Sequence, residues 1–292
     1  GRDTPGLRPQ HLAGVRTAAH LCDAEVTGDE EGSQTLSFEP DRVTATSLET
    51  DIGTAGSITL LFDTVLPVVA APALDGPVSV TAIGGTDVKW SPTVAYLRRV
   101  KLPLLGRFGF QAKADLTRTG FYPAGGGEAT LTVSPSDLQP IHLEDRGLLE
   151  LVTIYSKAAA SLADREVAER QASAAAERLR GNDRPVTIES VATVETHCPG
   201  SSILLRAEYG STLAGSDNLG ERGKPAERVG EEAADRLLAF DRGGGAVDRH
   251  LADQIMVPFA LAGGRVTIPE ATDHVRTNRA TIEAFGYDIA VD

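Results

Sequence analysis

Four side chains suited to group-transfer chemistry fall within one stretch, Arg249 to Asn278: His250, Asp253, Gln254 and His274. Imidazole is a nucleophile and a proton carrier near neutral pH, and a carboxylate or carboxamide beside it can orient a polar ligand. The setting predicted for His274 sharpens the point. Pro269 to Asp273 reads as a turn into a helix that starts near His274, with Thr272 or Asp273 as its N-cap. A helix N-terminus offers unpaired N–H groups and partial positive charge, which bind phosphate and favour a neutral, nucleophilic imidazole. A histidine there can attack phosphorus. A capping or packing histidine fits the same local pattern, so the choice rests on the rest of the chain.

The elements that must position these residues follow from periodicity. Leu251, Ile255, Met256, Phe259 and Ala260 recur at helical spacing, which predicts a helix from His250 to Ala262, interrupted by Pro258. Asp253 and Gln254 leave its opening turns. Gly263 and Gly264 end it, and Arg265 to Ile268 reads as a short strand.

Composition bounds the rest. A chain of 292 residues with 41% hydrophobic residues can bury a sizeable core in one large domain or two. The longest apolar run, near Val65 to Pro72, is short and contains Pro67, so no membrane span is expected, and no signal peptide is visible. Cys22 and Cys198 are too few for a disulfide framework and read as reduced thiols of a cytoplasmic protein. Acidic residues outnumber basic ones 41 to 28, and lysine occurs only at positions 89, 101, 113, 157 and 224. Such a surface repels nucleic acid at low salt and suits a salt-rich cytoplasm. An anionic substrate then requires only a locally basic site.

In chain order, a glycine-rich loop leads into a helix over Pro9 to Leu21, with Arg2, Arg8, Gln10 and His11 crowded at the junction, as an anion site or an ordinary solvated turn would have them. With no strand before this loop, an N-terminal segment is expected to be missing. Strands are predicted at Ser33 to Glu39, Arg42 to Leu48, Pro77 to Ile83 and Glu128 to Val133, and a helix from about Ser57. The segment GTAGS before that helix is either a phosphate cradle or a tight packing turn. Asp63, Arg99 and Gln254 each precede a helical proline by four residues, which suggests three copies of one strand and helix unit. From about Asp145 the pattern changes to a self-contained βαββα run: a strand at Gly147 to Tyr155, a helix at Asp164 to Arg180, a strand at Pro185 to Val194, one near the end of THCPGSSILLRAEYG, a polar turn region at Ser216 to Lys224, and a helix at Ala226 to Phe240. That run reads as an inserted domain.

Taken together, GLRPQHL, GTAGSITLL, GGTDV, SPTVAYLRRV, GFYPAGGGE, HLADQ and DHVRTN resemble the RNA 3′-terminal phosphate cyclase family, in order and over nearly the whole chain. The resemblance implies an α+β fold of α/β repeats. A large domain of three units, each a four-stranded sheet with two helices, would cover 1–144 and 241–292, its first unit N-terminally incomplete, and a smaller α/β domain would be inserted over 145–240. It implies ATP and a divalent cation, magnesium or manganese, as cofactors, and RNA with a 3′-terminal phosphate as the partner. The family's reaction makes a 2′,3′-cyclic phosphate through a histidine-AMP intermediate and an RNA adenylate.

The family's nucleophile falls on His274. Its adenylate-binding segment falls on His250, Leu251, Ala252, Asp253 and Gln254, with the His250 ring and Pro92 on the two faces of adenine and Tyr96 nearby. Arg2, Gln10 and His11 match residues at the phosphate end. Asp63 stands where the family usually has Gln, and a carboxylate there suits metal better than triphosphate. The metal ligands themselves are not assigned. A branch of the family without the nucleophile serves as a non-catalytic RNA-processing or ribosome-assembly factor, so that role is the alternative. Carboxyvinyl transfer on a similar repeated fold finds no motif support.

Overall fold

The structure, a computed structural model, describes residues 5–53, 55–70 and 74–290. The chain is of mixed α and β type and divides into two units, each containing a four-stranded sheet. Unit 1 comprises Gly1–Val94, Gln111–Asp137 and Thr196–Cys198. It opens with α1 (Pro9–Cys22), which has proline at its first position, where a missing N–H costs nothing. The short antiparallel pair β1 (Glu25–Thr27) and β2 (Ser37–Glu39) follows, then β3 (Ser47–Asp51), α2 (Ile58–Ala70), β4 (Val78–Gly84), β5 (Ala112–Arg118) and β6 (Gly127–Val133).

The main sheet has the order β3-β4-β6-β5. Strands β4 and β6 alternate strictly between buried and half-buried residues, as strands with one covered face must. Val80 and Ala82 pair with Leu131 and Ala129 on the covered face, beside the buried Phe62, Val65 and Leu66 of α2. On the other face, Thr81 and Thr130 share a hydroxyl hydrogen bond of 2.9 Å. The strands predicted at Ser33 to Glu39 and Arg42 to Leu48 are shorter and shifted. Ladder hydrogen bonds form only where a partner lies alongside, and β4 offers one from Ser47 onward.

The described residues of GTAGS pack against the end of β4. The Gly85 amide donates to the Gly56 carbonyl at 2.7 Å and the Ile58 amide to the Gly85 carbonyl at 2.9 Å. A Cβ on Gly84 would lie 2.6 Å from the Gly56 carbonyl oxygen, so this backbone contact excludes any side chain there. The described residues thus make the backbone contacts of a packing turn.

Unit 2 comprises Ala95–Phe110, Leu138–Glu195 and Pro199–Asp292. A short helix α3 (Val94–Tyr96) runs into a π-helical stretch at Leu97–Lys101 and then α4 (Leu102–Gly106). Further elements are β7 (Ile141–Leu143), β8 (Leu149–Ala159), α5 (Val167–Arg180), β9 (Val186–Val194), β10 (Ser201–Tyr209), β11 (Leu213–Leu219), α6 (Ala226–Arg242), α7 (Arg249–Gln254), α8 (Met256–Ala262), β12 (Gly264–Val266) and α9 (Asp273–Ala284). Its main sheet has the order β11-β10-β8-β9, and β12 pairs with β7 in parallel. The alanine-rich faces of α5 and α6, with Leu179, Leu237 and Leu238, bury against Val152, Ile154, Ile203 and Leu205 of the strands. Residues 216–219, expected as part of a polar turn region, complete β11 instead, since they pair with β10 from Ser202↔Leu219 to Leu205↔Ser216.

The three prolines four residues beyond Asp63, Arg99 and Gln254 are accommodated in three ways. Proline has no N–H and its ring crowds the carbonyl four residues earlier. Helix α2 continues through Pro67. Ahead of Pro103 the chain widens into the π-helical turn, and the Arg99 carbonyl accepts a 2.8 Å hydrogen bond from Arg206 Nε. Ahead of Pro258 the helix breaks: α7 stops at Gln254, Ile255 joins it to α8, and Pro258 falls in the first turn of α8, where proline is tolerated. The interruption expected at Pro258 is therefore a break three residues earlier.

Candidate active site

The best-defined polar cluster lies in unit 2 and begins with Asp248. Its carboxylate is 4% exposed and caps α7, with Oδ1 accepting from the amides of His250 at 2.9 Å and Leu251 at 3.0 Å. Its Oδ2 accepts from the Tyr96 hydroxyl at 2.6 Å and the Gly215 amide at 2.9 Å. Four donors thus replace the water that a buried carboxylate loses. Burial, and then the neighbouring Asp248 charge, hold the Tyr96 phenol well above its ordinary pKa, so it stays a donor. Gly215 is glycine for a steric reason: a Cβ there would sit 2.6 Å from Tyr96 Cε2.

This anchor turns α7 so that Leu251 and Ala252 are buried, Asp253 and Gln254 half-buried, and the His250 side chain exposed. Helix α9 lies alongside. Thr272 is its N-cap and its hydroxyl accepts from the Val275 amide at 3.2 Å, in agreement with the first of the two residues expected there. His274 is therefore the second residue of the helix, and it is exposed. One turn further on, Asn278 Nδ2 donates to the Asp253 carbonyl at 3.2 Å and ties α9 to α7.

Asp253 is where these parts meet. Partial burial raises its carboxyl pKa above the ordinary value, and the positive potentials of His274, His250 and Lys101 oppose that rise. Both imidazoles and the Lys101 side chain therefore lie within electrostatic reach of one carboxylate. Lys101 is 2% exposed, at the last position of the π-helical stretch. A carboxylate with two imidazoles and an ammonium group within that reach supplies the charges with which an anion can be held and a nucleophile oriented.

The other residues singled out in the sequence lie in unit 1. Gln10 Nε2 donates to the Ser57 carbonyl at 3.1 Å, and His11 Nδ1 accepts from the Arg8 amide at 2.9 Å, closing the first turn of α1. Asp63 is half-buried on α2. The Pro92 carbonyl accepts from the Thr59 hydroxyl at 2.8 Å. Arg2 lies outside the described residues. Sequence reasoning passed over Asp248, Lys101, Gly215 and Asn278. Only Asp248 had a local signal, an aspartate directly before a helical run.

A mixed α/β chain that gathers two histidines and a carboxylate about α7 and α9 carries the groups of a group-transfer site, and the comparisons specify the family. A family model described as RNA 3′-terminal phosphate cyclase matches residues 1–289. A relative from Halobacterium salinarum named RNA 3′-terminal phosphate cyclase is 48% identical over 303 residues, covering 100% of this chain and 86% of its own. Relatives of the same name from Pyrobaculum aerophilum and Methylococcus capsulatus are 43% and 40% identical, covering 97% and 98% of this chain and 82% and 81% of theirs. The chain therefore belongs to the RNA 3′-terminal phosphate cyclase family, a family of enzymes.

Proposed function

We propose that the protein uses ATP to convert an RNA 3′-terminal phosphate into a 2′,3′-cyclic phosphate, with His274 as the nucleophile. The observation that carries this reading is the position of His274, exposed at the N-terminus of α9 and within electrostatic reach of Asp253, in a member of this family. In the first step a ring nitrogen of His274 bonds to the α-phosphorus, the bond from that phosphorus to the bridging oxygen breaks, and pyrophosphate leaves. In the second, an oxygen of the RNA 3′-phosphate takes the adenylyl group and the P–N bond breaks. In the third, the 2′-oxygen attacks the 3′-phosphorus, AMP departs with the electrons of the broken P–O bond, and the hydroxyl proton passes to solvent.

Adenylation gives the RNA 3′-phosphate a good leaving group, AMP, and the covalent histidine intermediate divides that transfer into two easier displacements. Asp253 orients the imidazole and Lys101 adds positive charge beside it; the free N–H groups of α9 face the phosphates. His250 supplies a ring for the adenine, and Gln254 and the α7 backbone complete the nucleotide contacts. Tyr96 acts through Asp248, holding α7 in place. The assignments of Arg2, Gln10, His11, Asp63 and Pro92 to the nucleotide rest on the family resemblance.

A divalent cation fits this site as a passenger on the triphosphate. Among the described residues no group of three or more His, Cys, Asp or Glu side chains is placed to hold a metal, and magnesium is commonly bound by one or two carboxylates plus substrate phosphates. It would neutralise phosphate charge. Among the described residues no helix is long and apolar enough to cross a membrane. The net charge of −13 supports a salt-rich cytoplasmic setting. The reading of 145–240 as an inserted domain is supported by the separate core that β8, α5, β10 and α6 share.

Incubation in molar salt with Mg²⁺ and α-labelled ATP is expected to yield an acid-labile protein adduct that His274→Ala abolishes. A folded wild-type protein that never takes up label would turn the assignment toward the non-catalytic RNA-binding role.

A further inference from the structure

We infer that two adjoining loops of unit 1, carrying Trp90 and Tyr122, form a stacking surface for unpaired bases near the 3′ end of the RNA. The inference rests on RNA being the substrate, as proposed above, and adds where its bases are held. Trp90 is the only tryptophan of the chain and is 94% exposed, with φ +64°; Tyr122 is 67% exposed. A bulky side chain in the left-handed region is a rare conformation, and such outliers concentrate at functional sites.

The loops beneath these rings are fixed. Thr86 and Asp87 donate their amides to the Gly120 carbonyl at 2.9 and 3.2 Å, the Gly120 amide donates to Thr86 Oγ1 at 3.0 Å, and Asp87 bridges to Phe121. Phe121 is buried, and its carbonyl accepts from Cys198 Sγ at 3.3 Å. Tyr122 follows this bridge by one residue and Trp90 by three. At the far end of the Trp90 loop, Pro92 is held by the Thr59 hydroxyl. Two wide aromatic rings are therefore displayed to solvent on backbone that has little freedom left to lose on binding.

Charge indicates what they display themselves to. A chain of net charge −13 has little general attraction for a phosphate backbone, particularly in salt. Stacking does not depend on charge, tolerates any base, and suits single strands rather than duplex. An exposed pair of rings on an acidic protein thus fits an unpaired RNA end.

Because Trp90 is the sole tryptophan, its emission reports directly on this surface. Titrating the whole protein with a single-stranded oligoribonucleotide ending in a 3′-phosphate is expected to quench it, with little change in affinity from low to molar salt. Tyr122→Ala and Trp90→Gly are each expected to weaken RNA affinity by about 5- to 150-fold, the worth of one stacked base. Tyr122→Phe should retain it. Trp90→Gly removes the ring without straining a left-handed backbone, so folding and affinity are read separately. Adduct formation with ATP alone should persist in all three variants. A protein that forms the adduct but binds RNA equally well with and without these rings would overturn the surface and leave the histidine reaction standing. One that loses RNA on Trp90→Gly yet never forms the adduct would do the reverse. A fall in molar mass on Trp90→Gly with RNA affinity unchanged would also overturn it, in favour of contact between copies.

Discussion

Helices α7 and α9 both begin with a capping residue followed two positions later by a histidine, and the two caps differ in kind. Asp248 brings a full negative charge into the interior and directs it at two amides of α7, the Gly215 amide and the Tyr96 hydroxyl. Thr272 brings a neutral hydroxyl to one amide, that of Val275. A carboxylate cancels the positive potential of a helix start, whereas a hydroxyl leaves most of it in place. The difference separates two tasks: α7 is locked as a platform, and α9 keeps a start that can still attract an anion to His274.

Removing the stronger cap should have the largest structural effect. Asp248→Ala leaves the Tyr96 hydroxyl and three amides without their acceptor, and a loss of about 3–5 kcal/mol is expected by denaturant unfolding. Should it prove no costlier than Thr272→Ala, the contrast between the caps would collapse. Gly215→Ala probes the same anchor from behind. The added methyl meets Tyr96 Cε2 at 2.6 Å and Val100 Cγ2 at 2.9 Å, so overpacking of about 1–3 kcal/mol is expected. Thermal unfolding of the two variants and their double mutant should show that the losses do not add, because both act on the Tyr96 side chain, one at its hydroxyl and the other at its ring.

How much of this could be read from the chain depends on the range of each interaction. The start of α9 and the Thr272 cap are local, since a small hydroxyl residue before a helical run is itself the signal. The break ahead of Pro258 is half local: the proline announces a disturbance, but the bend settles at Ile255, where Pro258 falls within a first turn. Strand β11 was hidden by Ser216, Asp217 and Asn218, whose polarity suggests a turn; an edge strand needs only one partner and tolerates polar residues. The full role of Asp248 could not be read locally. Tyr96 is 152 positions away and Gly215 is 33, and no periodicity links them. The burial of Lys101 is likewise set by distant packing.

Thr272 allows the comparison to be broken from the other side. Thr272→Ala should cost about 1 kcal/mol, an ordinary cap loss measurable as a small shift in the denaturation midpoint. Thr272→Asp should leave the helix at least as stable, because aspartate is a good N-cap, yet slow adduct formation with ATP by placing a negative charge where phosphate must approach. A Thr272→Asp protein that forms the adduct at the wild-type rate would show that the neutral cap has no part in anion binding.

The smallest effect is expected at Asp253 and depends on pH. Burial raises its folded-state pKa above the ordinary carboxylate value, so folding favours the protonated form. Its stabilising contribution is present below the ordinary value and is lost as pH rises through the raised one. At neutral pH the wild type therefore carries a partly desolvated charge that Asp253→Asn lacks. The variant should melt slightly higher at neutral pH, and its advantage should shrink as pH falls through the raised pKa toward the ordinary carboxylate range. Adduct formation should fall at the same time, since the amide no longer orients His274 by charge. Melting curves of both proteins across that window give the sign. An Asp253→Asn protein that melts lower at neutral pH would mean that attraction to His250, His274 and Lys101 outweighs desolvation, and α7 would then be held to α9 by charge as well as by the bond from Asn278.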